Sequence, residues 1–326
     1  MGRRKYIIAL VLCGCLGVLQ SGDVRASESV ELSEGMYNWF LVQAYNSACN
    51  LNGGKENLWE NEIEGRTTEK WIEDVAIQYG KEYLATEQKF DEETLAVEES
   101  SLEVLESTQE RYWNELGYGR YYADYGITEE EFHQVLLHEL KTDLLYEQEE
   151  IELATSVTEE GIEEYIQEHA VLFEYIAIPY EEKEDYQEYQ GRLENGETIE
   201  ELAKEIYKSS ELQQKGFSSS YTSYATSALY FDSDTSLTNG FWQAVTEADY
   251  NEDICFDDEG SQFYLIFKRV PFTMEWGGID FYKNTINDQI MAELFSDMIT
   301  QWSEDIEMKN EDILRNSVEI RERFEK

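Results

Sequence analysis

Val171-Leu172-Phe173-Glu174-Tyr175-Ile176-Ala177-Ile178, closed by Pro179, is the stretch that decides the fold. A single charge interrupts an apolar run rich in β-branched and aromatic side chains, which predicts a strand ending at the proline. Upstream, residues 159–168 read as a short helix. Downstream come an acidic helix to Leu193, a turn at Asn195-Gly196 and a helix over 198–207 opened by a capping box. Residues 208–240 are rich in Ser, Thr, Tyr and Gly and read as loop. A short helix over 241–245 precedes a hairpin, Ile254-Cys255-Phe256 against 263–267, turning at Asp258-Glu259-Gly260. The order β-α-α-loop-α-β-β predicts an α+β unit.

Its flanks carry helical spacing. Val30-Glu31-Leu32 reads as a short strand, and Ser33 caps a helix with Met36, Phe40, Leu41, Ala44 and Ala48 on one face. Thr68 opens a second helix through Ile72, Val75, Ala76, Tyr79, Tyr83 and Leu84. Asp91 opens a third, through Leu95, Leu102, Leu105 and Tyr112 to Leu116. Residues 117–126 form a Tyr- and Gly-rich turn, and Thr128 with Glu131 caps a long helix running to Ile151. From Met274 onward, Ile286, Ile290, Leu294, Met298, Ile299 and Trp302 make one stripe. A helix so amphipathic needs a partner, so the tail is expected to return to the N-terminal helices. The predicted organisation is a signal segment 1–26, a helical region 27–156, an inserted unit 157–271 and a C-terminal helix 272–326.

Arg3-Arg4-Lys5, the apolar run 6–19 and the polar segment ending Val24-Arg25-Ala26 form a three-part export signal. Within it Leu12-Cys13-Gly14-Cys15 resembles a lipoprotein cleavage box, which would lipidate Cys15. Both readings place the protein outside the cytoplasm, either secreted or held at the cell envelope. With 71 Asp+Glu against 25 Lys+Arg, the net charge is −46. That charge repels phosphate backbones and excludes nucleic acid as a partner. Anionic lipid headgroups are disfavoured too, so membrane contact is expected only through a lipid on Cys15.

Cys49 and Cys255 lie in different predicted domains; one bridge between them is open to the sequence, but they read first as two small buried hydrophobes. His133 and His138, five apart on one helix, do not share a face as a zinc pair would, and His169 precedes the strand. No metal or cofactor is expected. Asp232-Ser233-Asp234 and Asp257-Asp258-Glu259 lack calcium-loop spacing and read as solvated loops.

An export signal, a helical region, an α+β insertion and a closing long helix together resemble the PrsA/SurA-type extracytoplasmic foldases. The insertion resembles a parvulin-type peptidyl-prolyl isomerase domain. The residues that carry the likeness are TEEGIEEYIQEHAVLFEYIAI (158–178), GETIEELAKEIY (196–207), FWQAV (241–245) and DEGSQFYLIFKR (258–269). Active members place a histidine on the first strand and another on the last. Here the matching positions are read as Tyr175 and Tyr264, and Phe241 matches the aromatic of the proline pocket. The Gly-Gly-containing motif of the family is not recognisable within 218–239.

What the resemblance implies is an exported folding factor acting on unfolded or nascent polypeptides. Two versions follow: a chaperone with a degenerate isomerase site, or an active prolyl isomerase using Tyr175, Phe241 and Tyr264. A non-catalytic cell-surface interaction protein is the alternative from outside the family. Trp39, Phe40, Tyr45, Trp113 and Tyr121 are the expected client-binding aromatics.

Overall fold

The computed structural model describes residues 30–232, 234 and 238–325. The export signal and Cys15 lie outside the described residues. The chain divides into two compact units, one running up to Ala154 and resuming at Met291, the other spanning Thr155–Ile290.

The first unit is helical: α1 (Glu34–Asn52), a two-residue hairpin β1 (Glu62–Ile63) and β2 (Arg66–Thr67), α2 (Thr68–Glu92), α3 (Glu99–Glu110), α4 (Tyr118–Ala123) and α5 (Glu129–Ser156). Ser33 caps α1 by accepting the Met36 N–H at 3.1 Å. Gly53, in the left-handed region at φ 75°, ends it. Met36, Phe40, Leu41, Ala44 and Ala48 then meet Trp71, Ile72, Ala76, Ile77 and Leu84 in one core. Gly80 of α2 leaves room for the segment that leads into α1: a Cβ there would stand 2.8 Å from Leu32 Cδ2. Thr128 and Glu131 form the expected capping box of α5, with the Thr128 N–H donating to Glu131 Oε2 at 2.9 Å.

Three sequence expectations change here. Asp91 does not open a helix; it closes α2, whose last turn is anchored by buried Phe90. The third helix starts at Glu99 instead and ends in a π-type turn over Arg111–Glu115. The Tyr-rich turn contains α4, because its aromatic side chains find partners on one side of a helical turn.

The C-terminal segment completes this unit. Val30 bridges to Met308, and Asn310 both accepts the Leu32 N–H and donates to the Leu32 carbonyl. Ile306, Met308, Leu314 and Ile320 enter the same core. Arg315 of α12 (Glu311–Arg315), preceding α13 (Ile320–Phe324), reaches Glu73 at 3.0 Å and Asp74 at 2.9 Å on α2.

In the second unit α6 (Glu159–His169) feeds β3 (Ala170–Pro179). Then follow α7 (Lys183–Glu194), α8 (Ile199–Lys208), α9 (Ser210–Gln214), β4 (Ser218–Ser219), β5 (Ala228–Phe231), α10 (Asn239–Glu247), β6 (Asp253–Asp258) and β7 (Phe263–Arg269). The sheet is antiparallel in the order β4-β3-β7-β6, with β5 also pairing β3. The long helix α11 (Ile279–Glu304) starts in this unit and ends in the first.

Region 208–240 is not all loop: β4 and β5 add to β3, pairing Ile176 with Ser219 and Leu172 with Leu229. Four residues of strand between Ser- and Thr-rich turns leave too little alternation to be read from sequence. The two faces of β3 carry separate cores. Ile176 and Ile178 pack with Leu202, Ile206 and Tyr189 of α7 and α8. Phe173 and Ala177 pack with Phe241 and Val245 of α10 and with Leu265 and Phe267 of β7. Glu174 and Lys268, paired across the strands, form an ion pair of 2.7 Å.

Among the described residues no helix is long and apolar enough to cross a membrane. Cys49 is buried as expected, whereas Cys255 is exposed, which corrects the expectation that both are core residues. It sits on an outer strand, β6, between half-buried Ile254 and Phe256.

Candidate functional site

The α10 face of the sheet is an aromatic box. The Phe241 ring lies 5.6 Å from Phe173 and 5.2 Å from Phe267, both nearly perpendicular to it, and 5.7 Å from Phe256. Phe173 also stacks on Tyr230 of β5 at 5.3 Å. Beside this box stand two hydroxyls, those of Tyr175 and Tyr230, 3.5 Å apart. Burial, reinforced by the neighbouring Tyr175, holds the Tyr230 phenol well above the usual tyrosine range. It is therefore a neutral donor at any physiological pH.

The backbone at Tyr175 is held on both sides by Ser220. The Tyr175 N–H donates to Ser220 Oγ at 2.9 Å, and the Ser220 N–H donates to the Tyr175 carbonyl at 3.0 Å. Phe241 is held through the cap of its helix. Its N–H donates to Thr238 Oγ1 at 3.2 Å, and the Thr238 hydroxyl donates to buried Asp258 at 2.9 Å. Ser261 donates to the other oxygen of Asp258 at 2.6 Å. The hairpin turn thus sets the entry of α10. Replacing Thr238 by alanine removes the cap and leaves one Asp258 oxygen without that donor. The expected loss is about 1 kcal/mol of stability, read from urea unfolding. A variant as stable as the parent would show that the cap does not hold this helix.

Two of the three residues named from sequence, Tyr175 and Phe241, come to this face. Tyr264 does not. In the β3–β7 register Tyr175 pairs with Phe267, and Tyr264 pairs with Ile178. Side chains alternate along each strand, so Tyr264 points to the α7 side, stacked on Tyr186 at 4.4 Å and against Tyr180 at 4.5 Å. The β7 residues that share the Tyr175 face are Phe263, Leu265 and Phe267. A shift of one residue in reading the strand moves every side chain to the other face, and that shift accounts for the misplacement. Tyr230 was missed because β5 was missed.

What this face can do chemically is limited by its enclosure. Phe241 is 3% exposed, and Phe173 and Phe267 are fully buried. The rings of this face are filled by each other, with the hydroxyl pair of Tyr175 and Tyr230 beside them. Among the described residues no cluster of His, Cys, Asp and Glu could hold a metal. His133 contacts Gln109 at 2.7 Å and His138 contacts Glu87 at 3.0 Å; both are partners in structure.

In the first unit a second aromatic group forms around α4. Tyr122 lies 4.8 Å from Trp39 and 5.8 Å from Phe132, and Trp113 lies 5.4 Å from Phe132. Tyr121 contacts Tyr125 at 5.2 Å. Tyr118, Tyr121 and Leu116 remain exposed, at 42%, 44% and 52%. Burial, then the neighbouring Tyr125 hydroxyl, pushes the Tyr121 phenol up to about 12. Of the aromatics named from sequence, Tyr121 is on this surface, and Trp39 and Trp113 support it half-buried. Phe40 and Tyr45 belong to the core.

Together the fold and these two aromatic groups define an α+β protein, with a helical unit and an antiparallel sheet flanked by helices. No family model matches the chain, and no curated protein matches it in sequence. Among solved structures it is similar to foldase protein PrsA from Streptococcus pneumoniae, at 15% identity and a TM-score of 0.30, over 78% of this chain and 96% of that one. PrsA from Bacillus subtilis is similar at 17% identity and a TM-score of 0.29, over 76% of this chain and 91% of that one. The peptidylprolyl isomerase PrsA from Bacillus anthracis is similar at 15% identity and a TM-score of 0.27, over 68% and 92%.

Proposed function

We propose that this protein is an exported folding factor that holds unfolded polypeptides through its helical unit and does not catalyse prolyl isomerisation. The observation that carries the reading is the group of exposed apolar and aromatic side chains Leu116, Tyr118 and Tyr121 on a chain of net charge −46. Apolar and aromatic stretches of an unfolded chain bury area there, while the acidic exterior attracts basic segments and keeps the complex soluble. The sheet unit serves as a binding or spacer module. Its aromatic box is closed, and lowering a barrier of about 18–20 kcal/mol needs an open pocket that takes the prolyl ring out of water. The organisation proposed from sequence, with the insertion at 157–271 and Cys15 as the alternative lipid site, belongs to the same reading.

The test is aggregation of a chemically unfolded, basic protein on dilution, with and without the purified chain. Suppression is expected at stoichiometric amounts, and a Leu116→Ser/Tyr121→Ser variant should need several times more protein. No suppression by the parent would overturn the reading. The second reading, an active isomerase, is favoured by the Tyr175–Tyr230 hydroxyl pair. Acceleration of Xaa-Pro isomerisation that is lost in Tyr230→Phe would establish it instead.

A further inference from the structure

Phe324, at the end of α13, closes over Tyr45 of α1. The two rings are 4.2 Å apart and 8° from parallel. Phe324 also stacks on Tyr125, just after α4, at 5.3 Å, and Trp59 stacks on Tyr45 at 6.0 Å. With this cover in place Tyr45 is 5% exposed. The residue before the ring is held too: the Arg323 Nη2–H donates to the Tyr125 carbonyl. Burial works against the Arg323 charge, and Glu34 in the first turn of α1 is the acid that opposes this effect. The site therefore displays what it accepts: a cationic side chain on the Tyr125 carbonyl, followed by a flat ring on Tyr45 and Tyr125.

The resident pair is lightly held. α13 is five residues long, and its N-cap residue Glu319 makes no side-chain cap bond. A helix that short has almost no stability of its own. Ile320 is its one buried side chain, Arg321 and Glu322 are exposed, and Phe324 itself is half-buried. Among the described residues Arg323 makes one hydrogen bond and no ion pair, on a chain with 71 Asp+Glu.

The clamp is continuous with the exposed aromatic surface of the same unit. Tyr125 contacts Tyr121 at 5.2 Å, and Tyr121 is 44% exposed. A segment held on Leu116, Tyr118 and Tyr121 that carries a ring directly after a cation reaches the same partners as Arg323-Phe324.

We infer that Tyr45 and Tyr125 form a binding site for an arginine- or lysine-aromatic pair in an unfolded polypeptide, filled by Arg323-Phe324 in the free protein and vacated when an incoming pair displaces it. The resident pair is tethered, so it competes at a high effective concentration, and only a segment that reproduces both contacts removes it. The inference rests on the reading of the helical unit as a polypeptide binder and names the class of segment it takes. Peptide binding tests it, so it can fail while suppression of aggregation stands.

The probe is a fluorescein-labelled peptide of residues 318–326, titrated with the purified full chain and followed by anisotropy. Phe324→Ala in the protein should tighten binding at least about tenfold, because the tethered ring no longer competes. Arg323→Gln, which keeps the ring, should tighten it by a smaller factor. Adding Tyr125→Ser, at a half-buried position, to Phe324→Ala should abolish the gain. Phe324→Leu or Arg323→Gln in the probe should weaken its binding to the Phe324→Ala protein. In the parent, saturating probe should speed amide hydrogen exchange over residues 320–324, a readout that needs no substitution. Four results would each overturn the inference: equal affinity for parent and Phe324→Ala, a gain that survives Tyr125→Ser, a leucine-bearing probe that binds as tightly, or unchanged exchange over 320–324 in the parent.

Discussion

Replacing Phe241 by alanine is expected to destabilise the sheet-containing unit by about 3–5 kcal/mol. The ring is 3% exposed and touches Phe173, Phe256 and Phe267, so its removal empties the centre of one of the unit's two cores. Val245 of α10 and Ala248 just after it are the other buried apolar anchors there, too few side chains to close the space left behind. Urea unfolding followed by near-ultraviolet circular dichroism measures the loss. A cost below 1 kcal/mol would show that the ring is not enclosed, and would reopen the view of this face as a receptive proline pocket. For the same reason Phe241→Ala is a poor probe of catalysis. Tyr175→Phe and Tyr230→Phe remove only a hydroxyl each from the same face and separate chemistry from folding.

The second large effect is expected at Glu82. This side chain is 7% exposed on α2, and its carboxylate accepts from Gln78 Nε2 at 2.8 Å and from Thr300 Oγ1 at 3.4 Å. Both donors are neutral. Gln78 also donates to Ser303 at 3.0 Å, so these contacts join α2 to the last turns of α11 within the helical unit. Burial, only partly offset by the hydrogen bonds from Gln78 and Thr300, lifts the carboxyl to about 7 from an ordinary value of 4.5.

A pKa raised on folding means that the folded state holds a proton that the unfolded chain has released. The contribution of Glu82 is therefore fully present below pH 4.5 and is lost as the pH rises through about 7. The shift corresponds to about 3 kcal/mol between those limits. Glu82→Gln keeps the acceptor for Gln78 and removes the charge. It should raise stability above pH 8 by about 3 kcal/mol and change it little near pH 4.5. Chemical unfolding of both proteins across that range tests this. Parallel curves, with no gap opening toward high pH, would mean that the carboxylate is ionised in the folded protein throughout.

Much of the architecture was legible from local signals. Ser33, Thr128 and Thr198 announce helices through cap chemistry, and each cap is formed. The hairpin of β6 and β7 follows from two apolar runs around Asp258-Glu259-Gly260. The apolar run from Val171 is the central strand, bordered by partners on both sides. On the C-terminal helix, Trp302 packs against the core of the helical unit, and Thr300 and Ser303 meet α2. Where local signals were weak, the reading failed: α3 starts at Glu99 because α2 holds on through Phe90, and β5 is too short to show alternation.

The candidate site was half legible. Composition and order on the chain bring out Tyr175 and Phe241, because a strand aromatic and a helix aromatic can be named from their own elements. Which β7 residue joins them cannot be named that way. Phe263, Tyr264, Leu265 and Phe267 are all apolar or aromatic, so β7 carries no polar alternation to mark its inner face. Only the pairing of Tyr175 with Phe267 and of Ile178 with Tyr264 decides it, and that pairing depends on contacts between residues some ninety positions apart in the sequence. Local chemistry set which segments become helix and strand. Long-range register and packing decided which side chains share a face, which rings are sealed, and that Phe324 covers Tyr45.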